Sequence, residues 1–254
     1  MNELVEEWIE REIGRIHEIR LFPEQGCTSE VRLVETETQS YILKSSYIEK
    51  YRNWLRAEAK VLKEGKTGQR PLPTFYGFWD GSDGSHILMS YINGISLTSA
   101  LKQAESSKER EKLIKGFGEF LNAFHESGKS GKHGKETWLD EQLNLARTYV
   151  ENGQCDGDLP LLEKLILQRP EPVTQTMIHG DCTTDNVLVV DGEVKMFIDV
   201  AGMKMGDPRY DEALAIRKFM HHEKFKDAFY QGYRRHRISE SEFEYFNEGL
   251  YEFF

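Results

Sequence analysis

Several features that define other protein classes are missing from this sequence of 254 residues. No apolar run approaches the roughly 18 residues that a membrane-spanning helix needs, and the charged N-terminal segment lacks the basic start and apolar centre of a signal peptide. The three cysteines, Cys27, Cys155 and Cys182, are far apart and form no Cys-x-x-Cys pair. They therefore indicate neither a disulfide framework nor a zinc site. We expect a cytoplasmic protein that does not bind a membrane.

Positive charge is also scarce. The chain carries 33 Lys and Arg against 43 Asp and Glu, a formal net charge of −10. Contacts with nucleic-acid phosphates need clustered Lys and Arg, and one compact basic stretch, GYRRHR at 232–237, is more typical of a solvated helix end. We therefore expect no nucleic-acid partner. The acidity would suit a cationic small molecule, although many cytosolic proteins are equally acidic.

The spacing of apolar residues changes along the chain from strand-like to helix-like. It predicts a helix near the N-terminus (1–22), a hairpin at 30–45, a helix at 51–64 and two strands around a turn at 80–85. Further helices are predicted at 95–101, 109–125, 138–150, 159–167, 212–234 and 240–254. This order predicts an α+β fold with a β-rich lobe, 1–92, followed by an α-rich lobe, 93–254.

One loop, HGDCTTDN at 179–186, is unusually rich in polar side chains and lies between two short strand-like runs. If those runs formed neighbouring strands, Asn186 would face Asp199 and both could give oxygen ligands to one Mg²⁺. Asp181 could then accept a proton from a hydroxyl, which is the arrangement that phosphoryl transfer needs. The alternative is a polar turn whose Asp and Asn side chains bond their own backbone.

The pattern HGDxxxxN, followed by IDxxxxxxGDPRYDEA, resembles the catalytic core of the aminoglycoside phosphotransferase and choline kinase superfamily. The resemblance is closest to aminoglycoside 3'-phosphotransferases and implies a protein-kinase-like bilobal fold. It implies Asp181 as catalytic base, Asn186 and Asp199 as Mg²⁺ ligands, and Asp185 as loop scaffolding. Asp207 and Pro208 follow so soon that no long activation loop fits, which disfavours a protein substrate.

The same resemblance implies a nucleotide site for ATP or GTP in the first lobe. Lys44 would contact the α- and β-phosphates and pair with Glu58 on the next helix. The other implied nucleotide residues are Gly26 and Ser29 in the hairpin loop, Met89, Ser90 and Ile92 near the hinge, and Ile42 and Ile198 on either side of the base. Taken singly, each could equally be a turn, core or surface residue.

Two stretches resemble the substrate-covering parts of aminoglycoside kinases: 137–158 and the C-terminal FEYFNEGLYEFF. They imply acidic contacts to a polyamine sugar from Asp156, Asp158, Glu252 and the Phe254 carboxylate, with Asp211 as a weaker candidate. The tail could also be an ordinary amphipathic helix. The segment between Val150 and the catalytic loop is shorter than in typical relatives, which leaves the acceptor open.

These features predict an enzyme that transfers a γ-phosphate to a hydroxyl of a small, cationic acceptor, most like an antibiotic-resistance aminoglycoside kinase. Two alternatives remain: a metabolic kinase acting on a sugar, choline, amino alcohol or macrolide, and a nucleotide-binding regulator without catalysis. His125 and His179 are predicted to brace the structure by hydrogen bonds. We expect a monomer or a homodimer.

Overall fold

The structure, a computed structural model, describes residues 3–23, 25–65, 70–127 and 138–254. Thr137, where one of the segments singled out above begins, lies outside the described residues. The chain divides into two compact units, Met1–Gly94 with Met196–Gly202, and Ile95–Lys195 with Met203–Phe254. The chain therefore leaves the first unit after Gly94 and returns to it for seven residues that include Asp199.

The first unit is built on a five-stranded antiparallel sheet in the order β1-β2-β3-β5-β4. Its elements are α1 (Glu3–Ile13), β1 (Ile16–Leu21), β2 (Glu30–Thr36), β3 (Ser40–Ser46), α2 (Glu49–Gly65), β4 (Phe75–Asp80) and β5 (Ser85–Ser90). The predicted hairpin, second helix and following strand pair are confirmed. A short 3-10 turn, Val200–Gly202, completes this unit.

The predicted N-terminal helix is wrong in its second half. The helix ends at Ile13, and Gly14 follows with a φ of 87° and donates its N–H to Glu10 O at 2.9 Å. Glycine adopts this left-handed conformation without the steric cost that a side chain adds. The chain then continues as β1, which pairs with β2. The helical spacing of apolar residues across Gly14 therefore arises by chance, because the residues before Gly14 belong to α1 and those after it to β1.

The core of the first unit lies between α1 and the sheet. Val5, Trp8 and Ile9 recur at helical spacing on one face of α1 and are buried. They pack against inward-facing sheet residues, Val34, Tyr41, Leu43 and Leu88. Burial of each large apolar side chain contributes about 1.5–3 kcal/mol, so this face holds the sheet that carries the predicted nucleotide residues.

The second unit is mainly helical, with short strands around the polar loop. Its elements are β6 (Ile95–Ser96), α3 (Leu97–Gln103), α4 (Ser107–Ser127), α5 (Trp138–Glu151), α6 (Leu159–Leu167), β7 (Thr176–Ile178), β8 (Val187–Val190), β9 (Glu193–Phe197), β10 (Lys204–Gly206), α7 (Pro208–Ile216), α8 (Glu223–Gly232) and α9 (Glu240–Phe243). The last two residues of β9 belong to the first unit. The predicted α+β class is confirmed. Among the described residues, no helix is long and apolar enough to span a membrane.

Two of the predicted helices are not continuous. The prediction for 212–234 covers the end of α7 and all of α8, and hydrogen bonds from Phe219 N to Ile216 O and from His222 N to Phe219 O tighten the chain between them into turns. The prediction for 240–254 covers only one regular α-helical turn. After α9 the chain forms a π-helical turn, Glu244–Gly249, and then a 3-10 turn, Leu250–Phe253.

The predicted pairing of the strands around the polar loop is also wrong. The strand before the loop, β7, pairs with β10, with Ile178 opposite Lys204. The strand before Asp199, β9, belongs instead to a sheet in the order β6-β8-β9. An Asp191-Gly192 turn with φ values of 51° and 75° joins β8 to β9, and this dipeptide is a strong hairpin signal.

Candidate active site

In the first unit, Lys44 and Glu58 form a buried ion pair. Lys44 lies on β3 opposite Ile87 of β5. Glu58 lies on the same face of α2 as the buried Leu55 and Leu62, because residues three and four apart share a helix face. Lys44 Nζ is 2.7 Å from Glu58 Oε2, and the two side chains are 9% and 3% exposed. The structure thus brings together the two residues that the sequence predicts as partners.

Asp199 completes this cluster from the segment that returns to the first unit. Its Oδ1 accepts a hydrogen bond from Lys44 Nζ at 2.6 Å, while its side chain remains 49% exposed. Burial alone would lower the pKa of Lys44, but the charges of Glu58 and Asp199 outweigh burial and raise it. Lys44 therefore stays a cation in an otherwise buried setting.

The backbone at Asp199 is strained. Its φ is 56°, and this left-handed conformation costs a non-glycine residue roughly 1–2 kcal/mol. The Lys44 contact and the 3-10 turn that starts at Val200 hold the residue there. Strain of this kind persists where the surrounding structure over-determines a conformation, and such positions concentrate at functional sites.

The loop between β1 and β2 carries Gly26 and Ser29. Ser29 Oγ is 2.6 Å from Ser46 Oγ at the end of β3, and Gly26 is exposed. The side chain of Gln25 closes the base of the loop: its Nε2 donates to Phe22 O at 2.6 Å, and its Oε1 accepts from Val31 N at 2.9 Å. This role of Gln25 has no sequence signal, because a loop glutamine is usually solvated.

The predicted base-binding residues also lie in the first unit. Ile42 and Met89 are directly opposite each other on β3 and β5. Ser90 ends β5, where its N–H donates to Thr74 O and its Oγ accepts from Thr74 N, each at 2.9 Å. Ile92 and Ile198 are half-buried. All the residues that the sequence predicts around the base thus belong to the first unit.

In the second unit, Asp181 is held by hydrogen bonds to both its backbone and its carboxylate. Asn186 Nδ2 donates to Asp181 Oδ2 at 2.7 Å and to Asp181 O at 2.9 Å. The backbone N–H of Asp181 donates to His179 Nδ1 at 3.1 Å, so His179 braces the loop as predicted. Because the amide nitrogen of Asn186 makes these bonds, its oxygen is the atom that a metal ion could use.

Asp211 anchors the start of the same loop. Its carboxylate accepts from His179 N at 2.6 Å and from Gly180 N at 2.9 Å, and His125 Nε2 lies 3.1 Å from it. His125 Nδ1 is 3.0 Å from Tyr233 OH. Asp211 is fully buried. This placement differs from the predicted contact with an acceptor and gives Asp211 a bracing role, since its oxygens already serve the loop backbone.

Two other polar residues of the loop contact α3 and the turn that follows α7. Lys218 Nζ lies 2.5 Å from Asp185 Oδ2, and Thr184 Oγ1 is 2.7 Å from Thr98 Oγ1. Asp185 therefore acts as loop scaffolding. Burial, together with the charges of Asp211 and Asp181, raises the pKa of Cys182 well above its usual value, so its thiol stays protonated and is a poor nucleophile.

The predicted acceptor contacts separate into exposed and engaged groups. Asp156 and Glu252 are exposed, and Phe254 is 38% exposed. Asp158 is exposed as well, but it caps α6, where its Oδ1 accepts from Leu161 N at 2.9 Å. The loop before α6 contacts the C-terminal segment, because Gly157 N donates to Glu252 O at 2.9 Å. The structure therefore joins the two stretches that the sequence assigns to the acceptor.

Tyr251 is a site residue that sequence reasoning misses. Its hydroxyl donates to Asp181 Oδ1 at 3.2 Å. Within a tail that contains several aromatic residues, a tyrosine is readily interpreted as core packing. No local pattern signals its contact with a loop 70 residues earlier in the chain.

Among the described residues, no group of three or more His, Cys, Asp and Glu side chains has the arrangement of a metal site. The donors predicted for Mg²⁺ are instead one amide oxygen, of Asn186, and one carboxylate, of Asp199. Both are hard oxygen donors of the type that Mg²⁺ prefers, and Mg²⁺ commonly keeps water molecules as its other ligands. The chemistry of each donor, one in either unit, fits the ion.

Comparisons with known proteins bear on this arrangement. Residues 19–245 of this chain match the sequence model of the phosphotransferase enzyme family. The aminoglycoside 3'-phosphotransferase of Enterococcus faecalis is 27% identical over 162 residues, which span 59% of this chain and 60% of that relative.

Solved structures share the fold. The crystal structure of aminoglycoside-3'-phosphotransferase of type VIII superposes with a TM-score of 0.78 at 20% identity, and the match covers 100% of both chains. A thermostable variant of aminoglycoside phosphotransferase APH(4)-Ia, in a ternary complex with AMP-PNP and hygromycin B, gives a TM-score of 0.65 at 18% identity over 91% of this chain and 83% of that one. The predicted resemblance is confirmed: this chain belongs to the phosphotransferase enzyme family.

Proposed function

We propose that the protein transfers the γ-phosphoryl group of ATP or GTP to a hydroxyl of a small molecule, and that the acceptor is an aminoglycoside antibiotic. The observation that carries the proposal is the presence of two preorganised sites, one in each unit, in a member of the phosphotransferase enzyme family. One is the Lys44–Glu58–Asp199 cluster of the first unit. The other is the oriented carboxylate of Asp181 in the second. Phosphoryl transfer depends mainly on positioning and electrostatic stabilisation, which such sites supply.

The residues of the first unit would bind the nucleotide. Lys44 remains charged and is held in place by Glu58, so its ammonium group is preorganised to contact phosphate oxygens. Asp199 and Asn186 would hold Mg²⁺, which neutralises charge on the phosphates when bound. Nucleotide binding is supported by the relative that was solved with AMP-PNP and by another solved with ADP and spectinomycin.

Asp181 would act on the acceptor. A general base must lie within hydrogen-bond reach of the proton that it removes and must be ionised. Donors on both carboxylate oxygens, Asn186 Nδ2 and Tyr251 OH, stabilise the charged form and fix its direction. Asp181 would accept the proton of the acceptor hydroxyl as the oxygen attacks the γ-phosphorus, and the bond from that phosphorus to the β–γ bridging oxygen would break to release the nucleoside diphosphate.

The acceptor class is supported by exposed acidic groups on contacting segments. Asp156 and Glu252 lie on the loop and the C-terminal segment that Gly157 joins, and carboxylates form charge-assisted hydrogen bonds with the ammonium groups of aminoglycosides. Related phosphotransferases have been solved in complexes with hygromycin B, spectinomycin and gentamicin. These differ among themselves, so the fold accommodates several acceptors.

One observation favours the second candidate, a metabolic kinase with a less cationic acceptor. Two of the acidic groups predicted for a polyamine sugar already have partners within the protein: Asp211 is buried and serves the loop backbone, and the exposed Asp158 caps α6. Arg217 also lies over the Tyr251 ring, with its guanidinium carbon 4.6 Å from the ring centroid. A cation beside the base would suit a neutral or anionic acceptor better than a polycation.

The proposed function is tested by a nucleotide-consumption screen with aminoglycosides, macrolides, choline, amino alcohols and sugars, and by mass spectrometry of each product. Asp181→Asn should lower kcat by about 10²–10⁴-fold with the acceptor that wild type uses. Asp191→Asn is the matched control, because it removes one exposed carboxylate from the nearby β8–β9 turn and asparagine tolerates the same φ. Nucleotide binding without phosphorylation of any acceptor would indicate a regulator instead.

A further inference from the structure

The two oxygens of the Asp181 carboxylate have different hydrogen-bond donors. Oδ2 accepts from Asn186 Nδ2 at 2.7 Å, and Oδ1 accepts from Tyr251 OH at 3.2 Å. Asn186 belongs to the same loop, whereas Tyr251 comes from the end of the chain. A carboxylate with one donor can still rotate about its terminal bond, whereas separate donors on its two oxygens fix the plane of the group. A carboxylate oxygen accepts more than one hydrogen bond, so Oδ1 can bind Tyr251 and a further hydroxyl together.

Irregular backbone places Tyr251 at this position. A π-helical turn, Glu244–Gly249, precedes the 3-10 turn Leu250–Phe253. A π turn holds an additional residue, so it rotates the following side chains by about 100° relative to a continuous α-helix. π turns of this kind occur frequently at functional sites. Tyr251 therefore faces Asp181 because the final helix is not regular.

The loop before α6 holds the segment in place. Gly157 donates its N–H to Glu252 O, directly after Tyr251. A Cβ atom on Gly157 would lie 2.5 Å from the ring of Phe253, which is fully buried, so only glycine allows this approach. The position of Tyr251 is thus fixed by contacts of the two residues that follow it.

The phenol of Tyr251 is a stable donor. Burial and the negative charge of Asp181 raise the pKa of Tyr251 to about 12, although Arg217 opposes the shift. The hydroxyl therefore keeps its proton at neutral pH. Arg217 packs on the face of the ring, and a cation at this position further restricts the ring.

We propose that Tyr251 is a positioning residue for the phosphoryl acceptor: it fixes the orientation of Asp181 so that Oδ1 meets the acceptor hydroxyl. The inference rests on the proposed function, in which Asp181 is the base. It makes the C-terminal segment part of the catalytic apparatus, where the sequence indicates only acceptor binding or core packing. An inhibitory role for Tyr251, in which its hydroxyl blocks the acceptor, predicts the opposite kinetic result.

The test compares Tyr251→Phe with Tyr245→Phe in two assays. One measures phosphorylation of kanamycin A, and the other measures basal ATP hydrolysis, in which water takes the place of the acceptor. Tyr245, six residues before Tyr251, is the matched control. Its hydroxyl donates to Leu165 O at 3.1 Å, so each variant loses one hydrogen bond made by a tyrosine hydroxyl. Tyr251→Phe should lower kcat about 10-fold, the loss expected for a hydrogen bond to a charged group, with the KM for nucleotide unchanged. Tyr245→Phe should keep the wild-type kcat.

Equal kcat values for the two variants, or a faster Tyr251→Phe enzyme, would overturn the inference. Asp181→Asn in the same assays separates this failure from failure of the proposed function, since an unchanged Asp181→Asn rate would remove the base assignment itself. A double-mutant cycle of Asp181→Ala, which removes both carboxylate oxygens, and Tyr251→Phe in urea unfolding tests the contact without turnover. Strictly additive effects on the free energy of unfolding would show that the two side chains do not interact, which also overturns the inference.

Discussion

The two units hold their predicted functional carboxylates in different ways. In the first unit, Glu58 and Asp199 share a buried cation, Lys44. In the second, neutral donors orient the Asp181 carboxylate, among them the amide of Asn186 and the phenol of Tyr251. A buried ion pair fixes charges against each other, so removal of one partner is costly. Neutral donors fix the direction of a carboxylate while it keeps its charge, which suits a group that must accept a proton.

The largest effect is expected from a substitution that breaks the buried ion pair of the first unit. Glu58→Ala leaves the buried Lys44 with only one of its two carboxylates, and we expect the free energy of unfolding to fall by about 3 kcal/mol, as measured by urea denaturation. Glu49→Ala is the matched control on the same helix, because Glu49 is 67% exposed and pairs with Arg56 at the surface. An exposed pair contributes about 1 kcal/mol or less.

Equal losses for the Glu58 and Glu49 variants would contradict the buried ion pair. Asp181→Asn sharpens the comparison from the other side, because asparagine keeps one oxygen acceptor and loses the hydrogen bond to only one of these neutral donors. We expect this variant to lower the free energy of unfolding by about 1–2 kcal/mol, less than the Glu58 variant, while it loses turnover.

An intermediate effect is expected where the C-terminal segment is anchored. Gly157→Ala places a Cβ against the buried ring of Phe253 and should cost about 1–3 kcal/mol of stability. Because Tyr251 moves with this segment, kcat should fall while nucleotide affinity stays at the wild-type value. Gly116→Ala on α4 is the control, since a Cβ there approaches no atom closer than 4.0 Å. If nucleotide affinity fell together with kcat, the effect would not be specific to the second unit.

The smallest expected effect is a pH dependence of stability in the second unit. A hydrogen bond from His236 to Glu212 raises the pKa of His236 above its ordinary value, helped by the charge of Glu242 and opposed by partial burial and by Arg209. The stability that protonated His236 contributes to the folded state is fully present below its unfolded-state pKa of about 6.5. It is lost as the pH rises through the higher folded-state pKa. Between about pH 6 and pH 9, the Tm difference between wild type and His236→Asn should therefore shrink. A constant difference would contradict the shift.

Local patterns predict much of the first unit from sequence. The alternation in β2 and β3, the apolar face of α2 and the turn between β4 and β5 each contain their own signal, and Lys44 and Glu58 lie where that order places them. The exception is β1, where Gly14 divides a run of helical spacing. A glycine within such a run deserves more weight than the spacing around it.

Less of the second unit follows from sequence, because its decisive contacts join distant residues. The pairing of β7 with β10 involves strands of three residues each, which are too short for a pattern. The burial of Asp211 beneath the loop, and the contact of Tyr251 with Asp181, depend on helix ends and an irregular turn. Sequence therefore predicts which residue types form the site better than it predicts what holds them in place.

The division of labour between the two clusters is tested most directly by titrating AMP-PNP and Mg²⁺ into Lys44→Met and Asp181→Asn variants by calorimetry. If Lys44 binds phosphate and Asp181 acts only on the acceptor, Lys44→Met should weaken nucleotide affinity at least about 10-fold, the loss of one charge-assisted contact. Asp181→Asn should bind the nucleotide within about twofold of wild type, a difference of less than about 0.5 kcal/mol. Equal affinities in the two variants, or weaker binding by Asp181→Asn alone, would contradict the account.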